Sequence, residues 1–187
     1  MKRCEWVGKE DIYIKYHDEE WGNPVHDDKV HFEFLVLESA QSGLSWITIL
    51  KKRENYRKVY DEFNVKKVTA YSEEKINEML RNEGIVRNKK KIEASINNAK
   101  RFIEIQEEFG SFDKYIWEFV DGTPLINNWK EISEVPAKTE LSDDVAKDLK
   151  KRGFKFLGSI TIYSYMQAVG LVNDHIIGCC FRDSIIE

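Results

Sequence analysis

Four side chains able to ligate a metal stand near the two ends of the chain. Cys4 and His17 lie at one end, His175 and Cys179 at the other, with Cys180 alongside. The His175-Ile-Ile-Gly-Cys179 spacing is i to i+4, which puts an imidazole and a thiolate on one side of a helical turn. Two ligands from the opposite end would complete a tetrahedral Cys2His2 site. Ligand pairs so far apart match no zinc-finger spacing, and inert buried thiols would leave the same sequence. A metal held by four protein ligands has no open position for water, so such a site would be structural and would pin the two ends together. Three cysteines in a chain with no secretory signal argue against disulfides.

A second group combines rings and one carboxylate. Trp6, Tyr13, Tyr16, Trp21 and Trp46 fall within the first 46 residues; taken singly, such rings are core material. Glu38 falls four positions after Phe34 and three after Leu35, on the same face of an apolar helix. Buried there, it must be paired, hydrogen-bonded or functional, since leaving it alone costs several kcal/mol. An exposed or helix-capping Glu is the alternative. A carboxylate beside stacked rings suits a flat, cationic, hydrogen-bonding ligand such as an N-methylated purine. The same positive charge weakens a glycosidic bond.

A third group is basic. Gly153-Phe154-Lys155-Phe156-Leu157-Gly158 joins two helical stretches as in a helix-hairpin-helix. Each glycine permits backbone conformations closed to other residues. Free N–H groups at the start of the second helix would face a phosphate, with Lys150, Lys151, Arg152 and Lys155 adding charge. An ordinary αα-hairpin is the alternative. Net charge is −4, so a nucleic acid is not the default partner. Three segments are nevertheless locally basic: 51–58, 87–101 and 147–155. Solvated helix faces explain any one of them equally well.

Helices must position these groups. Asp27 or Asp28 caps one that runs to about Gln41 and ends at Gly43. Phe34-Leu35-Val36-Leu37 is apolar all round, so this helix is central and buried. Ser45 caps a second, from Trp46 to about Phe63, and Ser72 opens a short one. Ile92, Ile96, Ala99, Phe102 and Ile103 mark one face of a longer helix. Phe112 to Val120 reads as a short aromatic-rich helix, and Gly122 to Pro136 as irregular, a candidate lobe boundary. Ser142 caps a helix stopping at Gly153, and another runs from Ser159 to about Gly170. No strand and no internal repeat is legible, so the class is all-α. The 187 residues suit one domain over 1–187, or two packed helical lobes, with the hairpin at about 143–170. No apolar run approaches the ~20 residues of a membrane span. A cytosolic monomer without a membrane partner is expected.

In these terms the chain resembles the constitutive bacterial 3-methyladenine DNA glycosylase I family. The resemblance is carried by Arg3-Cys4-x-Trp6, Tyr13-x-x-Tyr16-His17-Asp18-x-Glu20-Trp21-Gly22, Glu38-x-x-Gln41-x-Gly43-Leu44-Ser45-Trp46-Ile47-Thr48 and Leu50-Lys51-Lys52-Arg53-Glu54-Asn55-Tyr56. It resumes at Leu149-Lys150-Lys151-Arg152-Gly153-Phe154-Lys155-Phe156 with Gly158, then at Gly170-Leu171-Val172-Asn173-Asp174-His175 and Gly178-Cys179-Cys180. It is weakest from Asn64 to Leu141. It implies an all-α helix-hairpin-helix glycosylase fold that removes 3-methyladenine from duplex DNA in base excision repair, with the free base as product. It implies zinc on Cys4, His17, His175 and Cys179, with Cys180 a bystander. It implies that Glu38, Tyr16 and Trp46 contact the flipped base while Trp6, Tyr13 and Trp21 close the pocket. Glu38 is the catalytic candidate.

An extruded base leaves a gap in the stack, for which Leu44, between Gly43 and Ser45, is a candidate wedge. Leu44 could equally close the helix junction as an apolar contact. Related glycosylases that nick the strand carry a lysine two residues beyond the last hairpin glycine. Here that residue is Ile160, which implies a monofunctional enzyme. Asp174, sixteen residues past Gly158, stands where a catalytic Asp would compete, but beside His175 it suits an outer-shell or capping role. A glycosylase of other damaged bases and a zinc-dependent DNA-binding regulator are the rival readings.

Overall fold

The computed structural model describes residues 2–183, most of them helical. Its helices are α1 (Asp11–Glu19), α2 (Asp28–Gln41), α3 (Trp46–Val59), α4 (Val65–Thr69), α5 (Glu73–Arg81), α6 (Lys89–Phe109), α7 (Phe112–Trp117), α8 (Glu140–Lys151) and α9 (Ser159–Ala168). The Asp27 carboxylate starts α2 by accepting the Lys29 N–H at 2.7 Å. Every residue from His31 to Ala40 is buried. The helix is enclosed by α3, α6, α7 and α9, as its all-round apolar sequence requires.

One acid inside that stretch is paired. Glu33 accepts from Arg53 Nε at 2.6 Å and Arg57 Nε at 3.0 Å, while a second Arg53 nitrogen donates to Glu20 at 2.6 Å. A buried charge persists only with such partners. The two arginines of the basic segment 51–58 are therefore drawn inward, while Lys51 and Lys58 stay exposed. In segment 87–101 Lys91 donates to the carbonyls of Ala40 and Ser42 at 2.9 and 3.0 Å, closing the end of α2, while Arg87, Lys89, Lys90 and Lys100 stay exposed.

Two helix boundaries and one pair of strands differ from the sequence reading. The helix expected to reach Phe63 stops at Val59, and Asp61–Phe63 form a separate 3-10 turn. Thr139, not Ser142, caps α8: Thr139 Oγ1 accepts the Ser142 N–H at 3.2 Å, and Ser142 Oγ accepts the Thr139 N–H at 2.9 Å. Ser142 is thus the third helical position of a capping box, where serine mimics a start signal. A short parallel pair also exists, β1 (Leu125–Ile126) with β2 (Val172–Asn173), in register Leu125 with Val172. Two residues are too short to show alternation.

Candidate active site and metal centre

A cavity of about 370 Å³ opens between the first helices and α9. Trp6 reaches it from a 3-10 turn at Glu5–Val7. Tyr13 and Tyr16 come from α1, three apart on one face. Trp21 follows α1, Glu38 and Gln41 come from α2, and Trp46 opens α3. The opposite wall is Ile132, Val135, Pro136 and Ala137 with Ile160, Tyr163, Ser164 and Gln167. Trp6 packs against Tyr13 and Trp21 at ring separations of 5.0 and 4.9 Å, and Tyr16 against Trp46 at 5.5 Å. The six residues singled out for a pocket thus share one cavity. Ile132, Val135 and Pro136 lie in the stretch Gly122 to Pro136, whose lack of periodic pattern suggested a boundary rather than a wall of the site.

Glu38 is 4% exposed and has no hydrogen-bond partner among the described residues. Burial alone pushes its carboxyl up to about 8. The Trp46 indole N–H is likewise buried without a partner. One unpaired acceptor and one unpaired donor among aromatic faces fit a planar, cationic, hydrogen-bonding ligand, whose charge would return Glu38 to its ionised form.

Asp174 is the opposite case. It is 1% exposed, yet its carboxylate accepts from Asn127 Nδ2, Trp129 Nε1 and Gln167 Nε2 at 2.7 Å each, and from Tyr163 OH at 2.5 Å. Its lone pairs are committed. The Asp caps no helix; it ties the stretch after β1 to α9.

Cys4, His17, His175 and Cys179 are all buried, their ligand atoms within 4.8 Å of one another, and could hold a metal ion. Three sulfur–nitrogen separations are 3.6, 3.6 and 3.4 Å. Tetrahedral bonds to zinc of about 2.3 Å from sulfur and 2.05 Å from nitrogen require about 3.6 Å. Asp18, held by Arg3 at 2.8 Å, faces His17 Nδ1 at 2.8 Å. The Trp21 carbonyl faces His175 Nε2 at 3.1 Å. Both contacts orient the rings as metal ligands need. Burial pushes the Cys4 thiol up to about 12 and the His175 imidazole down to about 4. A cation supplies the charge that would keep thiolates in such surroundings. His175 and Cys179 do not share a helical turn as the spacing suggested. They flank a turn in which Gly178 takes φ 88°. Cys180 is exposed, outside the cluster.

The hairpin joins α8 to α9. Gly153 takes φ 89°, a conformation that favours glycine. Gly158 takes φ −76° with open space beside it, so its conformation does not demand glycine, contrary to the sequence reading. Asn98 clamps the main chain of Lys155, donating to its carbonyl at 2.9 Å and accepting its N–H at 2.8 Å. Lys150, Lys151 and Lys155 are exposed and form no salt bridge among the described residues. Arg152 does not join them. It is drawn back by Asp148 at 2.7 Å and Glu108 at 2.7 Å and lies over the Phe109 and Tyr115 rings. Leu44 lies outside the cavity lining, 42% exposed, in a turn where its N–H reaches the Gln41 carbonyl at 2.6 Å and Gly43 takes φ 84°.

Comparison with known proteins gives a consistent result. The family described as methyladenine glycosylase matches residues 6–183. DNA-3-methyladenine glycosylase 1 of Escherichia coli (strain K12) is 47% identical over 180 residues, covering 96% of both chains. DNA-3-methyladenine glycosylase of Haemophilus influenzae (strain ATCC 51907 / DSM 11121 / KW20 / Rd) is 45% identical over 182 residues, covering 97% of this chain and 98% of that one. A crystal structure of a tyrosine-to-phenylalanine variant of 3-methyladenine DNA glycosylase I, in complex with 3-methyladenine, superposes with a TM-score of 0.94. It is 36% identical and covers 97% of this chain and 98% of that one.

Proposed function

The chain belongs to the methyladenine glycosylase family, and on that premise we propose how its own residues perform the family's reaction. It is a DNA-3-methyladenine glycosylase of base excision repair. Hydrolysis breaks the bond between deoxyribose C1′ and the purine. The base leaves with the bonding pair, which cancels its positive charge. Water supplies a hydroxyl to C1′ and gives up a proton, leaving free 3-methyladenine and an abasic site.

The observation that carries the residue assignment is Glu38, a buried carboxylate with no partner in an aromatic cavity. The extruded cationic base lies between the Tyr16 and Trp46 rings, with Trp6, Tyr13 and Trp21 closing around it. Glu38 loses its proton as the cation enters, pairs with the ring and accepts the exocyclic N–H. Because the leaving group departs neutral, binding the cation and excluding water do most of the work. With Ile160 where strand-nicking relatives carry lysine, that position has no amine to form a covalent adduct, and the strand stays intact.

Duplex DNA rests on the hairpin, with phosphates against Lys150, Lys151, Lys155 and the unpaired N–H groups that open α9 after Gly158. Gly153 shapes the turn, and Leu44 fills the gap left by the extruded base. Cys4, His17, His175 and Cys179 would hold one zinc, which that donor set favours over harder cations. With four protein ligands it would supply structure and no reactive water.

The test is chromatography of bases released from methylated duplex DNA. Free 3-methyladenine with an unbroken strand is expected. No released base, or a borohydride-trapped enzyme–DNA adduct, overturns the reading.

A further inference from the structure

Among the described residues, Phe156 is the one exposed aromatic side chain, at 46%. Its ring makes no aromatic or cation–π contact with the described residues. Its backbone nevertheless takes φ 59°, a conformation that suits glycine and strains a bulky residue. Its neighbours prevent relaxation: Phe154 and Leu157 on either side are buried, and Asn98 holds both main-chain polar groups of Lys155. The other strained aromatic, Phe63 at φ 54°, is fully buried and serves the core. Phe156 takes no part in the hydrophobic core. Strain that the fold does not use points to a ligand.

The surroundings say which ligand. Lys150, Lys151 and Lys155 of the same hairpin are exposed, without salt bridges among the described residues, and the N–H groups that open α9 follow them in the chain. Ile160, 61% exposed in the first turn of α9, is a second exposed apolar side chain close by in sequence and lines the cavity. A polyanion with apolar faces between its charges matches this surface, and the deoxyribose units between the phosphates of DNA have that character. We propose that Phe156 packs against a deoxyribose of the strand whose phosphate the hairpin holds. The hairpin then grips the backbone by apolar contact as well as by charge. This rests on the hairpin role set out under Proposed function.

Thermal melts and fluorescence-anisotropy titrations with a duplex carrying a tetrahydrofuran abasic-site analogue test the proposal. Phe156→Gly should melt at or a few degrees above the wild type, because the strain is gone, while binding the duplex about tenfold more weakly. The salt dependence of binding should be unchanged, since no charge is lost, and so should the affinity for free 3-methyladenine. Phe156→Asn, which also tolerates this backbone conformation, should lose the same affinity; that separates lost apolar contact from added flexibility. A lower melting temperature with unaltered duplex binding overturns the proposal and returns the ring to the fold. So does retained affinity in Phe156→Asn. A wild-type protein that binds no analogue duplex would instead overturn the hairpin role itself.

Discussion

Two buried carboxylates show how environment divides labour between like residues. Glu38 has no partner and is held near 8 by burial; an unfolded Glu titrates near 4.5. A raised acid pKa makes the native state bind the proton longer than the unfolded state. Stability is therefore lost as pH rises from about 4.5 to about 8, by roughly 4–5 kcal/mol. Glu38→Gln removes that penalty. We expect the variant to melt above the wild type at pH 8, with the gap closing toward pH 4.5. Excision and affinity for free 3-methyladenine should fall by roughly 10–100-fold, the value of a charge-assisted hydrogen bond. Equal melting at all pH values would contradict the burial of a lone carboxylate. Asp174→Asn should act the other way: an amide nitrogen cannot accept, so two of the four donors lose their acceptor, at about 1–3 kcal/mol each. Thermal stability should drop before chemistry does. If the variant folds normally yet loses single-turnover excision a thousandfold, about 4 kcal/mol, Asp174 is the catalyst. Glu38 was legible in the sequence because its spacing from Phe34 and Leu35 placed it on an apolar helix face. The partners of Asp174 were not. Asn127 and Trp129 lie 45 or more positions away in a stretch without periodicity.

At the level of elements, α8, the turn and α9 act as one unit braced by α6. Lys155→Ala or Lys150→Ala should weaken binding to an abasic-analogue duplex and lower its salt slope by about one each. Affinity for the free base should be untouched. Arg152→Ala should instead cost stability, because its charge is committed to Asp148 and Glu108; a salt slope lowered in a normally stable Arg152→Ala protein would restore Arg152 to the phosphate set. The central helix α2 could be read from its apolar run. The cap of α8 could not, since Thr139 and Ser142 both look like caps and only the reciprocal bond pair decides between them. The β1–β2 pair escaped for want of length.

For the whole molecule, overall charge said little about partners. Arg53, Arg57 and Lys91 of the first two basic segments are used inside the fold, while several other cations there face solvent as the hairpin lysines do. The metal cluster sets the other global property. Purified protein never exposed to chelator should contain about one zinc per chain. Cys4→Ala or His175→Ala should lower the melting temperature before it alters excision at low temperature. Metal analysis without zinc would remove the metal from the description. The ligand types were readable in the sequence, but their convergence was not, because nothing local connects residue 4 to residue 179.

That convergence bears on the order in which the protein becomes competent during synthesis. The rings Trp6, Tyr13, Tyr16 and Trp21 leave the ribosome early, yet Cys4 and His17 meet their partners only after residue 179 has emerged. The wall carrying Tyr163 and Gln167 is equally late. A nascent chain therefore carries most of the aromatic surface for base capture long before it can close around one. Capture of a damaged base is deferred until both ligand pairs and the α9 wall have emerged.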